Sequence, residues 1–283
     1  MNLPRDVWDF DITSAGQPLE QSLRAVAGYR DLLLLFTRRD LVAVFKQTLL
    51  GPLWIFIQPL VTAVTFAVVF GGIANLPTGD VPHLLFYLCG ITFWGLFAST
   101  FKATATLFVS NEHIFSKVYF PRWVSILSAL LSQFLIFLIQ FSVFTVLGLF
   151  YFFDVLHDRV NMIALLAPVC ILSIVTFAIG LGLLVTSSTV RYRDFRKIVD
   201  FGTQLLLYAT PVIYPLTQVP DSILRWLRWN PLAAPFETIR AGLLGTEPAS
   251  LSQLGYAFFA SAIMLILGVL AFHRVERNFV DEI

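Results

Sequence analysis

Residues 29–60, YRDLLLLFTRRDLVAVFKQTLLGPLWIFIQPL, join a basic, mostly apolar segment without a linker to a long apolar one. Read as a helix, Asp31, Arg38, Arg39 and Lys46 recur seven or eight residues apart and form a charged stripe on an apolar cylinder. Such a helix can lie in a membrane interface with its Lys and Arg among the headgroups. Gly51 and Pro52 interrupt the pattern, because proline is tolerated in a first helical turn and not in an interior. A new helix is therefore predicted from Pro52, turned into the bilayer. Taken alone, the segment before it would also suit a soluble amphipathic helix packed on a core.

Composition removes that alternative. Of 283 residues, 57% are hydrophobic and 13% charged, and the mean hydropathy is +0.79. A soluble domain of this size could not bury so much apolar surface, so the chain reads as an integral membrane protein. A net charge of +1 and the lack of any long basic run argue against a nucleic-acid partner. Cys89 and Cys170 each lie in an apolar stretch, at a spacing that suits neither a metal site nor a disulfide framework, and read as small core residues. The first 22 residues are interrupted by Asp6, Asp9, Asp11 and Glu20 and hold no apolar core, so no cleavable signal is expected and the N-terminus is assigned to the cytoplasm.

Six segments meet or approach the roughly 20 apolar residues that a spanning helix needs: 52–74, 84–110, 123–153, 162–187, 198–215 and 251–272. The third is long enough to tilt or project, and the fifth is short, ending at Pro211 and Pro215, so its outer end is expected to be irregular. Arg5, Arg24, Arg30, Arg38, Arg39 and Lys46 precede the first span, and Lys117 and Arg122 follow the second. Arg191, Arg193, Arg196 and Lys197 follow the fourth, and Arg274 and Arg277 the sixth. The other side receives only Arg159, Arg225, Arg228 and Arg240, which predicts that both termini are cytoplasmic. Lys102 alone remains within a span, about two turns from its cytoplasmic end among Ser99, Thr100, Thr104 and Thr106. It can snorkel, and reads as a helix contact or cavity lining rather than a proton relay. With so few ionisable groups inside the spans, an ion-coupled carrier is disfavoured.

The connection 216–250 is the longest external loop, yet it carries Trp226, Trp229 and Phe236 and is broken by Asn230, Pro231 and Pro235. Two short helices are predicted, around 221–229 and 234–244. They could re-enter the outer leaflet if protein covers their backbone ends, or form an interfacial hairpin with Trp anchors. The fold class is thus all-α: a polytopic membrane protein with six transmembrane helices, an N-terminal amphipathic interface helix and a re-entrant helix pair between spans five and six. In domain terms, 1–50 is a cytoplasmic N-terminal segment, and 51–283 is the six-span domain, with cytoplasmic loops 111–122 and 188–197 and the external re-entrant region 216–250.

The chain holds no GxxxxGK[ST] phosphate loop, no HExxH and no paired CxxC. His83, His113, His157 and His273 are dispersed, so neither a metal site nor a catalytic centre is predicted. The acidic residues outside the cytoplasmic segments, Asp80, Asp154, Asp158, Asp221, Glu237 and Glu247, belong to three different external loops, and an enzyme would require those loops to converge. Aromatics are abundant, with 28 Phe, 8 Tyr and 6 Trp. Most must face lipid or pack, but sugar rings stack their C–H faces on aromatic planes. Trp54, Phe56, Phe66, Phe70, Tyr208 and Tyr214 are therefore candidates for a substrate path.

Four stretches, RRDLVAVFKQTLLGPLWIFIQPL at 38–60, KVYFPR at 117–122, ATPVIYP at 209–215 and NPLAAPFETIRAGLLG at 230–245, resemble the membrane subunit of type-2 ABC exporters. The likeness is to the branch that exports O-antigen, capsule and teichoic acid polymers. It implies a half-transporter in the bacterial inner membrane that pairs with itself as a homodimer and with two copies of a separate ATPase. That ATPase would hold ATP and Mg, and this chain would bind no cofactor of its own. The implied cargo is a lipid-linked glycan, O-antigen first, with teichoic acid or capsule as alternatives. An exporter of drugs or small lipophiles is the rival within this architecture, and an uncoupled scaffold or secondary carrier is the rival outside it.

By the same resemblance, segment 111–122 becomes a coupling helix that offers Asn111, Glu112, His113, Phe115, Lys117, Tyr119 and Arg122 to the ATPase, with Arg191 and Arg193 as a second contact. The helix bearing Arg38, Arg39 and Lys46 would lie beside it at the membrane interface, and 221–244 would cap the outer mouth. Segment 111–122 could also be an ordinary positive-inside loop, but its mixture of Phe115, Tyr119 and Phe120 with Lys117 and Arg122 suits a protein surface better.

Overall fold

A computed structural model describes residues 26–46, 49–115, 120–151, 161–189 and 194–278, and among these the regular structure is helical throughout. Helix α1 (Arg30–Phe45) ends before Gly51, whose φ of +52° makes the turn that glycine tolerates best, and Pro52 then caps α2 (Leu53–Phe66). The predicted break therefore falls where expected. Helix α2 continues as a π-helical stretch, Ala67–Ile73. After it come α3 (His83–Ala105), the single turns α4 (Leu107–Ser110) and α5 (Glu112–Phe115), and α6 (Arg122–Tyr151). A 3-10 turn, Met162–Leu166, leads into α7 (Ala167–Thr189), followed by α8 (Phe195–Tyr208), α9 (Asp221–Leu227), α10 (Ala233–Leu244) and α11 (Leu251–Asn278).

Five stretches are long and apolar enough to cross a bilayer: Leu53–Ile73, His83–Ala105, Arg122–Tyr151, Met162–Thr186 and Leu251–Arg274. They coincide with the expected first, second, third, fourth and sixth spans. The expected fifth is the 14-residue α8, about 21 Å long at 1.5 Å per residue and short of the roughly 30 Å hydrocarbon core. Beyond Tyr208 the chain turns irregularly through Pro211 to Pro215, since a proline supplies no N–H to extend a helix.

Helix α3 is the axis of the fold. It is buried on almost every side, from Leu85 to Ala105, and packs against α7, α6, α2 and α10. The most extensive helix pair is α7 with α11. A Cβ placed on Gly180 would lie 2.5 Å from the backbone nitrogen of Leu265, so only glycine permits this crossing, and Ser173 and Ser261 share a hydrogen bond of 3.1 Å along the same seam. Between α7 and α3, Gly182 leaves room for Thr104, and the Thr186 hydroxyl donates to the Thr104 carbonyl at 2.5 Å. Small residues and hydroxyls at helix crossings suit a bilayer, where burying apolar surface against a neighbour offers little gain over lipid.

Helix α1 is fastened to the start of α6. Ser132 Oγ donates to the Thr37 carbonyl at 3.4 Å, and Phe36 meets Phe120 edge-on at 5.4 Å. Leu34 and Leu35 stay exposed on another face of α1. The expected helix pair between spans five and six is also present, as α9 and α10. Gly245, at φ +70°, closes α10 in the left-handed conformation usual after a helix end.

Candidate functional site

Between α2, α3, α6 and α8 lies a cavity of about 410 Å³ within the span region. Its polar lining is Gln58 and Thr62 from α2, Ser99 and Lys102 from α3, Gln133 and Gln140 from α6, and Thr203 and Gln204 from α8. Gln58 and Gln204 are exposed on the open side, while Gln133 and Gln140 are half-buried and come from one face of α6, seven residues apart. Among the described residues none of these four amides is hydrogen-bonded to another group of the chain. An amide placed in an apolar medium without a partner costs about 1–3 kcal/mol on protein scales, so the half-buried Gln133 and Gln140, beside the exposed Gln58 and Gln204, favour a polar occupant. At one end of the cavity Lys102 Nζ meets the Asp200 carboxylate at 2.7 Å, joining α3 to α8. Lys102 is thus both cavity lining and helix contact, as its position in the sequence implied.

The aromatic candidates do not line this cavity. Trp54 and Tyr208 stand 45% and 60% exposed on α2 and α8, the two helices that flank its open side. Phe56 is half-buried on α2. Phe66 and Phe70 pack edge-on at 5.4 Å and both contact the buried Tyr87, which makes them core residues. The Tyr214 hydroxyl donates to the Tyr208 carbonyl at 2.8 Å and fastens the turn after α8.

The expected coupling segment sits on an aromatic cluster. Phe108 stacks on Phe272 of α11 at 5.4 Å and touches Phe115 at 5.6 Å, while Trp123 at the start of α6 meets Phe272 at 5.6 Å. The Arg122 guanidinium lies 5.3 Å from the centre of the Phe108 ring. Asn111 is buried. It accepts a hydrogen bond from Arg39 Nη2 at 3.0 Å and donates to the Leu107 carbonyl at 3.1 Å, so it ties α1 to the segment. Arg39 also pairs with Asp40 at 2.7 Å, and Arg38, Arg39 and Lys46 are all exposed. Consecutive positions point about 100° apart around a helix, and of the stripe's cations Arg39 is the one that reaches Asn111 while staying at the surface. His113 is exposed at the tip. Lys117, Tyr119, Arg191 and Arg193, and the Glu112 side chain, lie outside the described residues.

At the other end of the molecule, Arg240 of α10 is only 2% exposed. Its Nη2 donates to the carbonyls of Pro211 and Val212 at 2.9 and 3.0 Å, and its guanidinium lies 4.0 Å from the centre of the Phe86 ring. A buried cation thereby satisfies the carbonyls left open where α8 gives way to the proline-rich turn. Glu237, one turn earlier, accepts the backbone N–H of Leu216, while burial pushes its carboxyl up to about 7.

Residues 31–244 match the ABC-2 type transporter family. The chain belongs to that family. O-antigen export system permease proteins RfbA from more than one bacterium are similar to it. One of Klebsiella pneumoniae is 26% identical over 251 residues, covering 89% of this chain and 94% of the relative. That of Myxococcus xanthus is 27% identical over 221 residues, covering 77% and 82%. The polysialic acid transport protein KpsM of Escherichia coli is 23% identical over 242 residues, covering 85% and 91%.

This ABC-2 permease carries features that a search for charges and aromatics passes over. The four cavity glutamines could have been found by asking which amides interrupt apolar spans, and the interval between Gln133 and Gln140 already places them on one helical face. Asp200 and Arg240 needed the tertiary structure, because their partners lie about 100 and 30 residues away in the chain. Among the described residues no group of three or more His, Cys, Asp or Glu side chains could hold a metal ion.

Proposed function

We propose that this permease is the membrane half of an ATP-driven exporter that moves a lipid-linked polysaccharide, O-antigen in the first instance, across the inner membrane. It works as a homodimer with two copies of a separate ATPase that holds ATP and Mg, and both of its termini are cytoplasmic. The names of its relatives support the cargo class. The observation that carries the reading is the groove lined by four unpaired glutamine amides and bordered by the first span and α8.

A polyhydroxylated chain offers both donors and acceptors at every ring. It can therefore exchange hydrogen bonds with Gln58, Gln133, Gln140 and Gln204 in turn, and many weak interchangeable contacts let a polymer slide where one strong site would hold it. Trp54 and Tyr208, on the exposed faces of the flanking helices, would stack passing sugar rings, and Phe56 would support the same wall. Closure of the ATPase subunits would press on the Glu112–Phe115 turn. The Phe108, Phe115, Phe272 and Trp123 cluster passes that displacement to α6 and α11, and the Arg39–Asn111 hydrogen bond passes it to α1.

Deleting the gene and examining surface polysaccharide by gel electrophoresis tests the reading, with loss of the long-chain glycan expected and restoration by the wild-type gene. A Gln133→Leu/Gln140→Leu double variant should still co-purify with the ATPase and should export several-fold more slowly. A normal glycan ladder in the deletion strain would overturn the assignment.

A further inference from the structure

At the end of the molecule remote from the Lys102–Asp200 pair is a second cavity, of about 670 Å³. It is bordered by the Pro77–Val81 turn between the first two spans, by the turn after α8, by α9 and α10, and by the start of α11. Arg240 and Glu237 reach it from α10, Arg228 from the end of α9, Gln218 from the turn after Pro215, Gln253 from α11, and Asp80 from the turn before α3. Arg240 is not a solvated surface charge: it is nine-tenths or more buried, only its Nη2 makes hydrogen bonds, and its Nε has no hydrogen-bond partner. A cation held at a cavity wall favours an occupant that carries acceptor groups.

The lining selects the class of occupant. The guanidinium groups of Arg228 and Arg240 donate, Asp80 and Glu247 supply carboxylates, Glu237 supplies a carboxyl that burial holds up to about 7, Gln218 offers both donor and acceptor, and the Gln253 Oε1 already accepts the Ser250 N–H, so an anion would be opposed by the acidic groups and a cation by the arginines. A neutral ligand with hydroxyls pointing in several directions can meet both kinds of group. The volume falls within the roughly 300–1,000 Å³ of small-molecule pockets and accommodates a short oligosaccharide. We propose that this cavity is a saccharide-binding subsite, distinct from the span cavity, that holds a short stretch of the exported glycan on the face away from the ATPase. This rests on the polysaccharide-export reading. It assigns to α9 and α10 the task of retaining glycan, so that backsliding between ATP cycles is opposed.

The test uses the purified permease–ATPase complex in lipid nanodiscs and oligosaccharides released by mild acid from the host's own surface polysaccharide, with binding followed by saturation-transfer NMR and titration calorimetry. Gln218→Ala and Gln253→Ala, singly and together, remove lining groups without touching Arg240, and the melting temperature of each variant checks that it folds. At least a tenfold rise in Kd for the double variant at unchanged melting temperature is expected. Absence of binding to the wild-type complex, or equal binding by the double variant, overturns the subsite. If the deletion strain has lost its surface glycan while the double variant binds as the wild type does, only the subsite falls. A deletion strain with normal surface glycan overturns the export reading, and the subsite with it.

Discussion

Replacing Gly180 with alanine probes the backbone-to-backbone crossing of α7 and α11, and Gly255→Ala, at an exposed position near the start of α11, is its control. A Cβ on Gly180 would stand 2.5 Å from both Leu265 N and Met264 C and 2.6 Å from Met264 O, where ordinary contact begins at 3.4 Å. All three atoms are backbone, so no rotamer change relieves the overlap and α7 and α11 must part by about 0.9 Å, the difference between 3.4 and 2.5 Å. A gap of about 0.5–1 Å forfeits a quarter to a half of each atom pair's well of about 0.1–0.2 kcal/mol. With on the order of 40 pairs at the crossing, as many as one buried leucine makes, the loss is about 1–4 kcal/mol, offset by about 1 kcal/mol of helix propensity. A net destabilisation of up to about 3 kcal/mol follows. A Cβ on Gly255 meets nothing within 4 Å, so that substitution keeps only the propensity gain. Thermal unfolding of the detergent-solubilised protein, followed by size-exclusion chromatography, should rank Gly180→Ala below wild type and Gly255→Ala at or above it. A Gly180→Ala variant that melts with the wild type, or two variants that shift equally, would refute the described crossing.

Three further expectations concern charge and coupling. Lys102→Asp should impair export by placing two carboxylates together, and Lys102→Asp/Asp200→Lys should recover most of it. The pair is 42% and 66% exposed, so its effect on the melting temperature should correspond to no more than about 1 kcal/mol; export unchanged in the single variant would refute the contact. Burial raises the Glu237 carboxyl from its ordinary 4.5 to about 7, against the pull of Arg240, so the folded state binds the proton more tightly than the unfolded one. Its contribution to stability is therefore full below about pH 4.5 and is lost as the pH rises through about 7. Glu237→Gln should flatten that slope of melting temperature against pH, and an unchanged slope would refute the assignment. Phe115→Ala should leave ATPase co-purification intact and lower export several-fold by loosening the cluster on Phe108, whereas wild-type export would show that the cluster transmits nothing.

Elements set by local chemistry were legible in the sequence. Gly51 and Pro52 mark a break because of their backbone alone, and the spans are visible because about 20 apolar residues have no other stable home. The helices around Asn230 and Pro235 could be read for the same reason. What depends on distant pairing was not legible. Phe66 and Phe70 look like path residues in the sequence and prove to be packed on Tyr87, because an aromatic in an apolar span carries no mark of which way it faces. Asn111 looked like a surface contact, and its amide is instead occupied by Arg39 from 72 residues away.

The two sides of α3 differ in regularity, and the difference bears on how the permease moves. Behind it, α7 and α11 are continuous helices locked backbone to backbone at Gly180 and Gly268, and such a seam tolerates little sliding. In front, α2 carries Pro59 in its interior and loosens into a π-helix over its last seven residues, where the Ala74 N–H reaches back to the Val69 carbonyl. Helix α8 is too short to span and ends in a proline-rich turn held by Arg240. Local departures from α-helical hydrogen bonding lower the cost of bending and are frequent at functional sites. Both helices that border the open side of the amide-lined cavity thus hold the weak points of the backbone, while the helices that border none of it hold the strong ones. A displacement arriving through the Phe108 cluster therefore meets a stiff rear wall and a compliant front one, and it is the front wall, with Gln58 and Gln204 on it, that should yield.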